Sequence, residues 1–359
     1  MLHFARWKTA SILLVCLAGL LVSIPNLMPR TAFPDWFPVR QVNLGLDLRG
    51  GSYLLLEVDL NTVVRERLDS MVDGARTRLR TANIRYVNLA SDVPNRRMGL
   101  RVTDPAQVQA AVAALRELAN PIQTATGQSI PDLEVTSQPD GQVWATVTEA
   151  GLRAKATSAV EQSLEIVRRR VDETGVSEAL IARQGQSRIL VTLPGVEDPN
   201  RIKELLGRTA RMTFHLVDDN AALAATPPPG VMFLPGEREG ERYAVRRRVE
   251  VDGANLTNAR AGQDSRTGEW VVNFTFDSVG TRRFAQITRE NVGRPFAVVL
   301  DDKVITAPVI REPIIGGQGQ ISGNFNARSA NDLAVLLRAG ALPAPLTVVE
   351  ERTVGPELG

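Results

Sequence analysis

Apolar and polar residues alternate at the start of the segment QVNLGLDLRGGSYLLLEVD, which occupies positions 41–59. Leucines fall on one face of this segment, while Asp47 and Arg49 fall on the other, and a period of two predicts a half-buried β-strand. The pair Gly50-Gly51 interrupts the alternation before a second, more apolar half. A glycine pair between strand halves indicates a bulge, a bend or a close backbone approach. We therefore predict a bent structural strand.

The same segment has the spacing of a phosphate-binding loop, Gly45-x-x-x-x-Gly50-Gly51-Ser52, with glycine in the place of the essential lysine. That lysine carries the charge that reaches the phosphates, and a helix must follow so that its N-terminus faces them. Here strand-forming residues follow instead. We predict no nucleotide site at this loop and no cofactor.

An uncharged, apolar run precedes this strand and extends from Thr9 to Pro29. About 20 such residues cross a bilayer as a helix, so a membrane helix is predicted over 9–28. Basic residues within 1–8 place the N-terminus in the cytoplasm by the positive-inside rule. A cleaved signal peptide shares the basic start and the apolar core, but no A-x-A-like site ends this run. The proline-rich segment 29–40 is predicted to be a linker.

After this strand, the same order of predicted helices and strands occurs twice. A helix from Leu60, two strands, a helix capped by Asp104-Pro105 and further strands occupy 60–148. A helix over 149–174, strands over 177–183 and 188–193, a helix over 200–210 and a strand over 212–217 repeat that order. With a strand in front, the order α-β-β-α-β is that of the split-βαβ, ferredoxin-like plan.

The later part of the chain is predicted to form a separate α+β module. Residues 218–240, which contain three consecutive prolines, are predicted to be a boundary or mobile loop. Strand and helix patterns follow, and the glycine-rich run 316–323 is predicted to be a loop or bulge because no helix follows it. A helix over 329–339 ends at Gly340, and one more strand is predicted over 346–350.

Composition excludes several classes of function. The net charge is +2 and aromatic residues are only 5% of the chain, so neither a nucleic-acid footprint nor a base-stacking platform is indicated. With one cysteine and two histidines, the chain offers no internal disulfide and no Cys/His metal cluster. His215 lies in a strand-like run and is interpreted as a strand histidine. Chemistry by a pair of carboxylates stays open on counts alone, although no spacing selects a pair.

Four segments together resemble one family, the SecD subunits of the bacterial SecDF protein-export complex. They occur in that family's order: NLGLDLRGGSYLLLEVD, RRRVDETGVSEALIARQGQSRILVTLPG, the pair AVVLDDKVITAPVI and ISGNF, and LRAGALPAPLTVVEERTVGPELG. The residues that carry these motifs, to which we assign a structural role, are Gly45, Asp47, Arg49, Gly50, Gly51, Arg338, Gly340, Pro343, Glu350, Glu351, Arg352, Gly355 and Pro356.

The resemblance implies a non-enzymatic, proton-driven accessory of the Sec translocon in the inner membrane of a Gram-negative bacterium. Its expected partners are a SecF-like subunit, the SecYEG channel and the translocating preprotein. A periplasmic base would comprise 41–217, with αββαβ units over 60–148 and 149–217, and would be completed by 328–359. A head over 218–327 would hold the emerging polypeptide. Members of the family continue into five further membrane helices, which carry the aspartate tied to proton coupling, so we nominate no residue here for that role.

Within the head, the apolar residues Val231, Met232, Phe233 and Leu234 are our candidates for preprotein contact, because an exposed apolar surface can bind an unfolded chain weakly. We further expect Asp47 and Arg49 to make polar contacts near the strand that contains Glu350. The alternative function is that of a resistance-nodulation-division-type transporter of small molecules or lipids, which would share the anchor and the ferredoxin-like units. A periplasmic hydrolase is disfavoured by the histidine and cysteine counts.

Overall fold

The computed structural model describes residues 6–23, 50–123, 129–176, 179–196, 199–222, 224–238 and 240–355. In these ranges the chain mixes α-helices with antiparallel β-sheets, in agreement with the predicted α+β class. Some of the predicted features lie outside these ranges, namely the strand half before Gly50 and the linker over 29–40. Four motif residues also lie outside them: Gly45, Asp47, Arg49 and Pro356.

The helices are α1 Arg6–Ser23, α2 Leu60–Thr81, α3 Val108–Arg116, α4 Glu149–Glu173, α5 Asn200–Gly207, α6 Ser278–Glu290 and α7 Ala327–Ala339. The first strands are β1 Gly51–Val58, β2 Tyr86–Asp92, β3 Arg97–Val102, β4 Ile122–Gln123, β5 Ser129–Ile130, β6 Leu133–Ser137, β7 Gln142–Val147, β8 Leu180–Gln184, β9 Arg188–Pro194 and β10 Met212–Leu216. The later strands are β11 Val231–Pro235, β12 Arg242–Arg246, β13 Val251–Asp252, β14 Leu256–Gln263, β15 Trp270–Phe276, β16 Phe296–Leu300, β17 Lys303–Thr306, β18 Gln318–Phe325 and β19 Leu346–Val354.

Helix α1 falls within the apolar run near the N-terminus, and its side chains at Leu13 and Leu14 are exposed. In the described part of the chain, no helix combines the length and the apolar character that crossing a membrane requires. The membrane helix predicted over 9–28 is therefore not confirmed by the structure, and residues 24–28 lie outside the described ranges.

Strands from the two ends of the chain meet in one four-stranded sheet, which we call the terminal sheet. Its order is β19-β1-β9-β8, and every neighbouring pair is antiparallel. Gly51 lies opposite Val354, whereas Val58 lies opposite Leu346, so β1 begins at the end of the sheet where β19 stops. Helices α4 and α5 pack their apolar side chains against β1 and β9. The strand predicted over 346–350 thus lies beside the opening strand in one sheet.

Residues 60–148 form a sheet of their own, which we call the second sheet, with the order β2-β3-β7-β6. Asp59 caps α2 by accepting a hydrogen bond of 3.0 Å from Asn61 N. The helix then buries residues at three- and four-residue spacing, as its periodicity predicted: Leu68, Met71, Ala75 and Leu79. These side chains and α3 cover one face of the second sheet.

Strand β10 differs from its predicted role as the last strand of the second αββαβ unit. It pairs with β16 and β13, in a sheet of order β13-β10-β16-β17, and makes no pair with the terminal sheet. Strand β19 occupies the position beside β1 instead. All five residues of β10 are buried, so the local pattern identified a strand without identifying its partner.

The structure refines two predictions for the later module. The glycine-rich run, predicted to be a loop or bulge, contains β18, which pairs with β15 in a sheet of order β14-β15-β18 and has an irregular register between Ser322 and Phe325. Gly319 faces the Phe274 ring so closely that a Cβ would lie 2.3 Å from it, so the missing side chain makes room for the aromatic ring. The segment over 218–240, predicted to be a boundary or mobile loop, contains β11, which pairs with β12 in a two-stranded sheet.

Five phenylalanines form the centre of the core of this module, which extends over 212–339 and which we call the distal region. Their ring centroids lie 5.2–6.3 Å apart in mostly tilted or edge-on pairs, the geometry that aromatic quadrupoles favour. They come from β10, β15, α6 and β16: Phe214, Phe274, Phe276, Phe284 and Phe296. Helix α7 packs on the same cluster through Leu333 and Leu336, so it belongs to the distal region.

Candidate functional site

The chain passes from the terminal sheet to the distal region and back through two short segments. The outgoing segment, residues 208–211, follows α5, and the returning segment, residues 340–345, precedes β19. Leu342 N donates a hydrogen bond of 2.8 Å to Thr209 O, so the two segments lie side by side. We call these paired segments the junction.

A buried arginine holds both segments of the junction. Arg170 lies three residues after Val167 on α4, on the helix face that packs inward. Its side chain is 0% exposed and donates hydrogen bonds to five backbone carbonyls, those of Leu205, Leu206, Arg208, Thr209 and Gly340. The first four lie at the outgoing segment or just before it, and the fifth begins the returning segment. One side chain therefore ties α4 to both segments.

The charge of Arg170 is stabilised by these carbonyl dipoles. Burial lowers the pKa of Arg170 to about 10, and the carboxylate of Asp301 partly opposes this shift. The guanidinium stays charged at neutral pH. A buried charge without such partners would be strongly destabilising, because the interior screens and solvates charges poorly.

A carboxylate of the distal region binds the outgoing segment from the other side. Asp301 lies in the turn between β16 and β17, with a positive φ of 50°. Its two oxygens accept hydrogen bonds from Thr209 Oγ1 at 2.5 Å, Arg211 N at 2.9 Å and Ala210 N at 3.1 Å. Ala210 also has a positive φ, 57°, a conformation that L-residues adopt rarely and that the surrounding contacts must maintain.

The motif residues Arg338 and Gly340 also lie at the junction. Arg338 donates to Ala259 O at 2.7 Å and binds the carboxylate of Glu173 at the end of α4 at 2.6 and 3.1 Å. Gly340 ends α7 with a φ of 93°, in the region that favours glycine. This conformation brings its carbonyl to Arg170. Both residues therefore make specific contacts at the junction.

Three exposed or half-buried ion pairs surround the junction. Glu351 of β19 binds Lys203 of α5 at 2.8 Å, Arg211 binds Glu66 of α2 at 3.0 Å, and Arg201 binds Asp332 of α7 at 2.6 Å. Pairs in water contribute up to about 1 kcal/mol each. We infer that they bias the orientation of the distal region weakly, whereas Arg170 and Asp301 fix the junction itself.

The glycine pair of the motif lies at the other end of the terminal sheet. Gly50 and Gly51 have positive φ values of 67° and 144°. A Cβ on Gly51 would lie 2.3 Å from Leu193 O, so only glycine allows the backbones to approach this closely. Gly51 begins a strand, which agrees with the interpretation against a phosphate loop. In β19, Glu350 pairs with Arg352, while Pro343 lies within the returning segment and Gly355 follows the strand.

The candidate preprotein-contact residues form β11. Val231 and Leu234 are buried against small apolar clusters, while Met232 and Phe233 remain half-buried. The guanidinium carbon of Arg242 on β12 lies 4.2 Å from the centroid of the Phe233 ring. The expectation of an exposed, mobile apolar loop is wrong at Val231 and Leu234. Contact with a preprotein stays a prediction and now centres on the other two residues.

His215 is held inside the distal region by two hydrogen bonds. His215 is buried on β10, with Nδ1 2.8 Å from Arg246 O and Nε2 2.9 Å from Thr213 Oγ1. Burial lowers its pKa, and its hydrogen bonds to backbone carbonyls oppose that shift only in part. Among the described residues, no group of three His, Cys, Asp or Glu side chains could hold a metal ion.

Sequence reasoning missed Arg170 and Asp301 as site residues. Arg170 is the last of three consecutive arginines, and the heptad-like spacing from Val160 through Val167 could have identified it as the one that faces inward. Asp301 was recognised only as part of a turn. Its role depends on the outgoing segment, which is about 90 residues away in the sequence.

Comparison with known families agrees with this architecture. Three family descriptions match: the SecD/SecF GG motif over residues 36–59, the N-terminal part of the protein translocase subunit SecDF P1 domain over 160–219, and the SecDF P1 head subdomain over 231–344. The outgoing segment lies within the second of these matches, and the returning segment begins within the third.

Curated relatives match over the whole chain. Protein translocase subunit SecD of Acetobacter pasteurianus is 49% identical over 360 residues, and that of Rickettsia bellii is 38% identical over 363 residues. Each match covers 100% of this chain and 67% of the relative. A crystal structure of SecDF in a super-membrane-facing form matches with a TM-score of 0.52 and 26% identity, over 96% of this chain and 36% of that chain.

Fold, junction and comparisons together define a subunit of a protein-translocation system. The chain belongs to the SecD family of protein translocase subunits, and it spans about two thirds of the length of its curated relatives.

Proposed function

We propose that this chain forms the membrane-anchored, extracytoplasmic part of an accessory subunit of the Sec translocase. Residues 9–28 anchor it in the inner membrane with the N-terminus in the cytoplasm, and the rest of the chain lies in the periplasm. The base lies within 41–211 and 340–359, and the distal region over 212–339 forms the head; the boundaries predicted at 217 and 328 move because β10 and α7 pack in the distal region. The strand order of the terminal sheet supports this division, because a fourth-first-third-second order with helices α4 and α5 is that of a ferredoxin-like unit.

The subunit acts with a SecF-like partner and the SecYEG channel, and it uses the proton motive force to promote export without catalysing a reaction. The head binds the emerging preprotein and prevents it from sliding back. Membership of the SecD family supports this function over small-molecule or lipid transport, the alternative that the sequence left open.

The observation that carries the proposal is the junction. Two adjacent segments, both bonded to Arg170, connect the base to the rest of the molecule. Short connections of this kind absorb the backbone rotation when one rigid body turns against another. The weak outer ion pairs, such as Glu66 with Arg211, can break and re-form during that rotation.

The half-buried side chains of Met232 and Phe233 supply the polypeptide-binding surface. Burial of about 100 Å² of apolar surface there contributes about 2.5 kcal/mol of binding free energy. This is enough for transient binding but not for a long-lived complex. A weak hold suits a subunit that must release each segment of the chain before it binds the next.

Site-specific crosslinking in the complete translocase tests this proposal. A photoreactive residue in place of Met232 or Phe233 is expected to crosslink to a stalled preprotein. The matched control is Val87 on β2, a valine that is 48% exposed on the second sheet, where no adduct is expected. Equal yields at Val87, or no adduct at either head position, would overturn the assignment of this surface.

A further inference from the structure

A groove of about 900 Å³ separates the terminal sheet from the second sheet. The first turns of α2 and α4 form its walls, together with the turn between β2 and β3 and the turn between β8 and β9. Its apolar floor consists of half-buried side chains, namely Val63, Val64, Val93, Leu152 and Ala156. The volume lies in the range of ligand-binding clefts.

The rim of this groove is strongly basic. Among the described residues that line it, one carboxylate, Glu149, accompanies six basic side chains, namely Arg65, Arg67, Arg96, Arg153, Lys155 and Arg183. Arg67 binds Asp132 at 2.7 Å and Arg96 binds Glu149 at 3.0 Å. Arg153 and Lys155 form no ion pair within 4.0 Å among the described side chains. Since the whole chain has a net charge of only +2, this concentration of positive charge is local.

The groove lies at the end of the terminal sheet opposite Gly51 and Val354. Val58 N donates to Ser187 O at that end, next to Leu60 and Gln186 of the groove. Strand β1 has eight residues, which corresponds to about 26 Å between its two ends. The groove therefore lies about one strand length from the end of the sheet where Gly51 faces Val354.

We propose that this groove binds an acidic, amphipathic segment of the exported polypeptide. Its apolar side chains cover the valine and leucine floor, while its carboxylates meet Arg153, Lys155 and the neighbouring cations. Apolar grooves bind amphipathic segments in this way. A rim of opposite charge to the ligand increases the association rate and favours that ligand over others. The base thereby provides a second holding surface, separate from the head. This inference rests on the proposed function for the identity of the polypeptide.

Binding of defined peptides to the full chain in detergent tests the proposal. The probe is a fluorescent 18-residue peptide with leucines on one helical face and glutamates on the other, compared with versions that carry lysine for glutamate or serine for leucine. Only the glutamate–leucine peptide is expected to bind. Arg153→Gln/Lys155→Gln should weaken its binding about tenfold. Ala156→Trp should do the same by filling the floor without a change of charge.

The matched control is Arg168→Gln/Arg169→Gln, which removes two charges from the same helix outside the groove and should leave binding unchanged. Circular dichroism establishes that each variant is folded. Equal binding of the lysine peptide, or unchanged binding by both groove variants, would overturn the proposal. So would phosphatidylglycerol vesicles that bind through Arg153 and Lys155 while the peptide does not. The assay needs no translocation, so its failure and a failure of head crosslinking are distinguishable.

Discussion

The junction and the β11–β12 hairpin are both small parts of the molecule, yet they are stabilised in opposite ways. At the junction, the charged groups of Arg170 and Asp301 bind backbone atoms directionally at 2.5–3.4 Å. In the hairpin, Val231 and Leu234 pack on small apolar clusters with no directional requirement. Directional bonds fix where two bodies join, whereas apolar packing lets a surface adapt to varied partners. The difference fits a pivot that is held in place by directional bonds and that carries an adaptable binding surface.

The largest expected effect concerns Arg170. Arg170→Met should lower the free energy of unfolding by about 3–5 kcal/mol, because five carbonyls lose a buried charged donor. The matched control is Arg169→Met, which removes an exposed partner of Glu165 and should change stability by less than about 0.5 kcal/mol. Urea unfolding followed by circular dichroism measures both. Equal losses of stability in the two variants would mean that Arg170 contributes no more to stability than an exposed arginine does.

Asp301 should have the next largest effect. Asp301→Ala removes three hydrogen bonds to the outgoing segment and is expected to cost about 2–4 kcal/mol. Asp302→Ala is the control, because Asp302 shares the turn and the positive φ, at 61°, without those bonds. A loss for Asp302→Ala as large as that for Asp301→Ala would assign the effect to the turn instead of the junction.

Substitutions in the β11–β12 hairpin should lower stability less than those at the junction. Phe233→Ala is expected to lower stability by about 1–2 kcal/mol, since the ring is only half-buried. The same substitution should reduce preprotein crosslinking from Met232 several-fold. If stability falls as far as in the Arg170 variant, the hairpin is a structural core element, and the contrast with the junction fails.

The smallest effect should be a pH dependence through His215, which anchors the end of β12. Burial lowers its pKa in the folded protein below the ordinary value of 6.5, so the unfolded chain takes up the proton first as the pH falls. Its contribution to stability is therefore complete above pH 6.5 and is lost as the pH falls through the folded pKa. His215→Gln should reduce the difference in stability between pH 7 and pH 5. An unchanged difference would assign the titration to other groups.

Local patterns in the sequence predicted most helices and strands but not which strands pair. The apolar run of β10 predicts a buried strand, but it fits the terminal sheet and the sheet of the distal region equally well. Only the phenylalanine cluster of the distal region determines that β10 belongs there. Similarly, the glycines of β18 suggest a loop until the Phe274 ring that needs their space is known. The junction was missed for the same reason: Arg170 and Asp301 acquire their roles from segments distant in sequence.

The most direct test of the account measures distances between spin labels in the full chain. One pair joins Arg168 on α4 to Arg282 on α6 across the junction, and the control pair joins Arg266 to Arg282 within the distal region. A distal region that turns as one body about the junction predicts several distances for the first pair and one narrow distance for the second. A single narrow distance for both pairs, or broad distributions for both, would contradict the account.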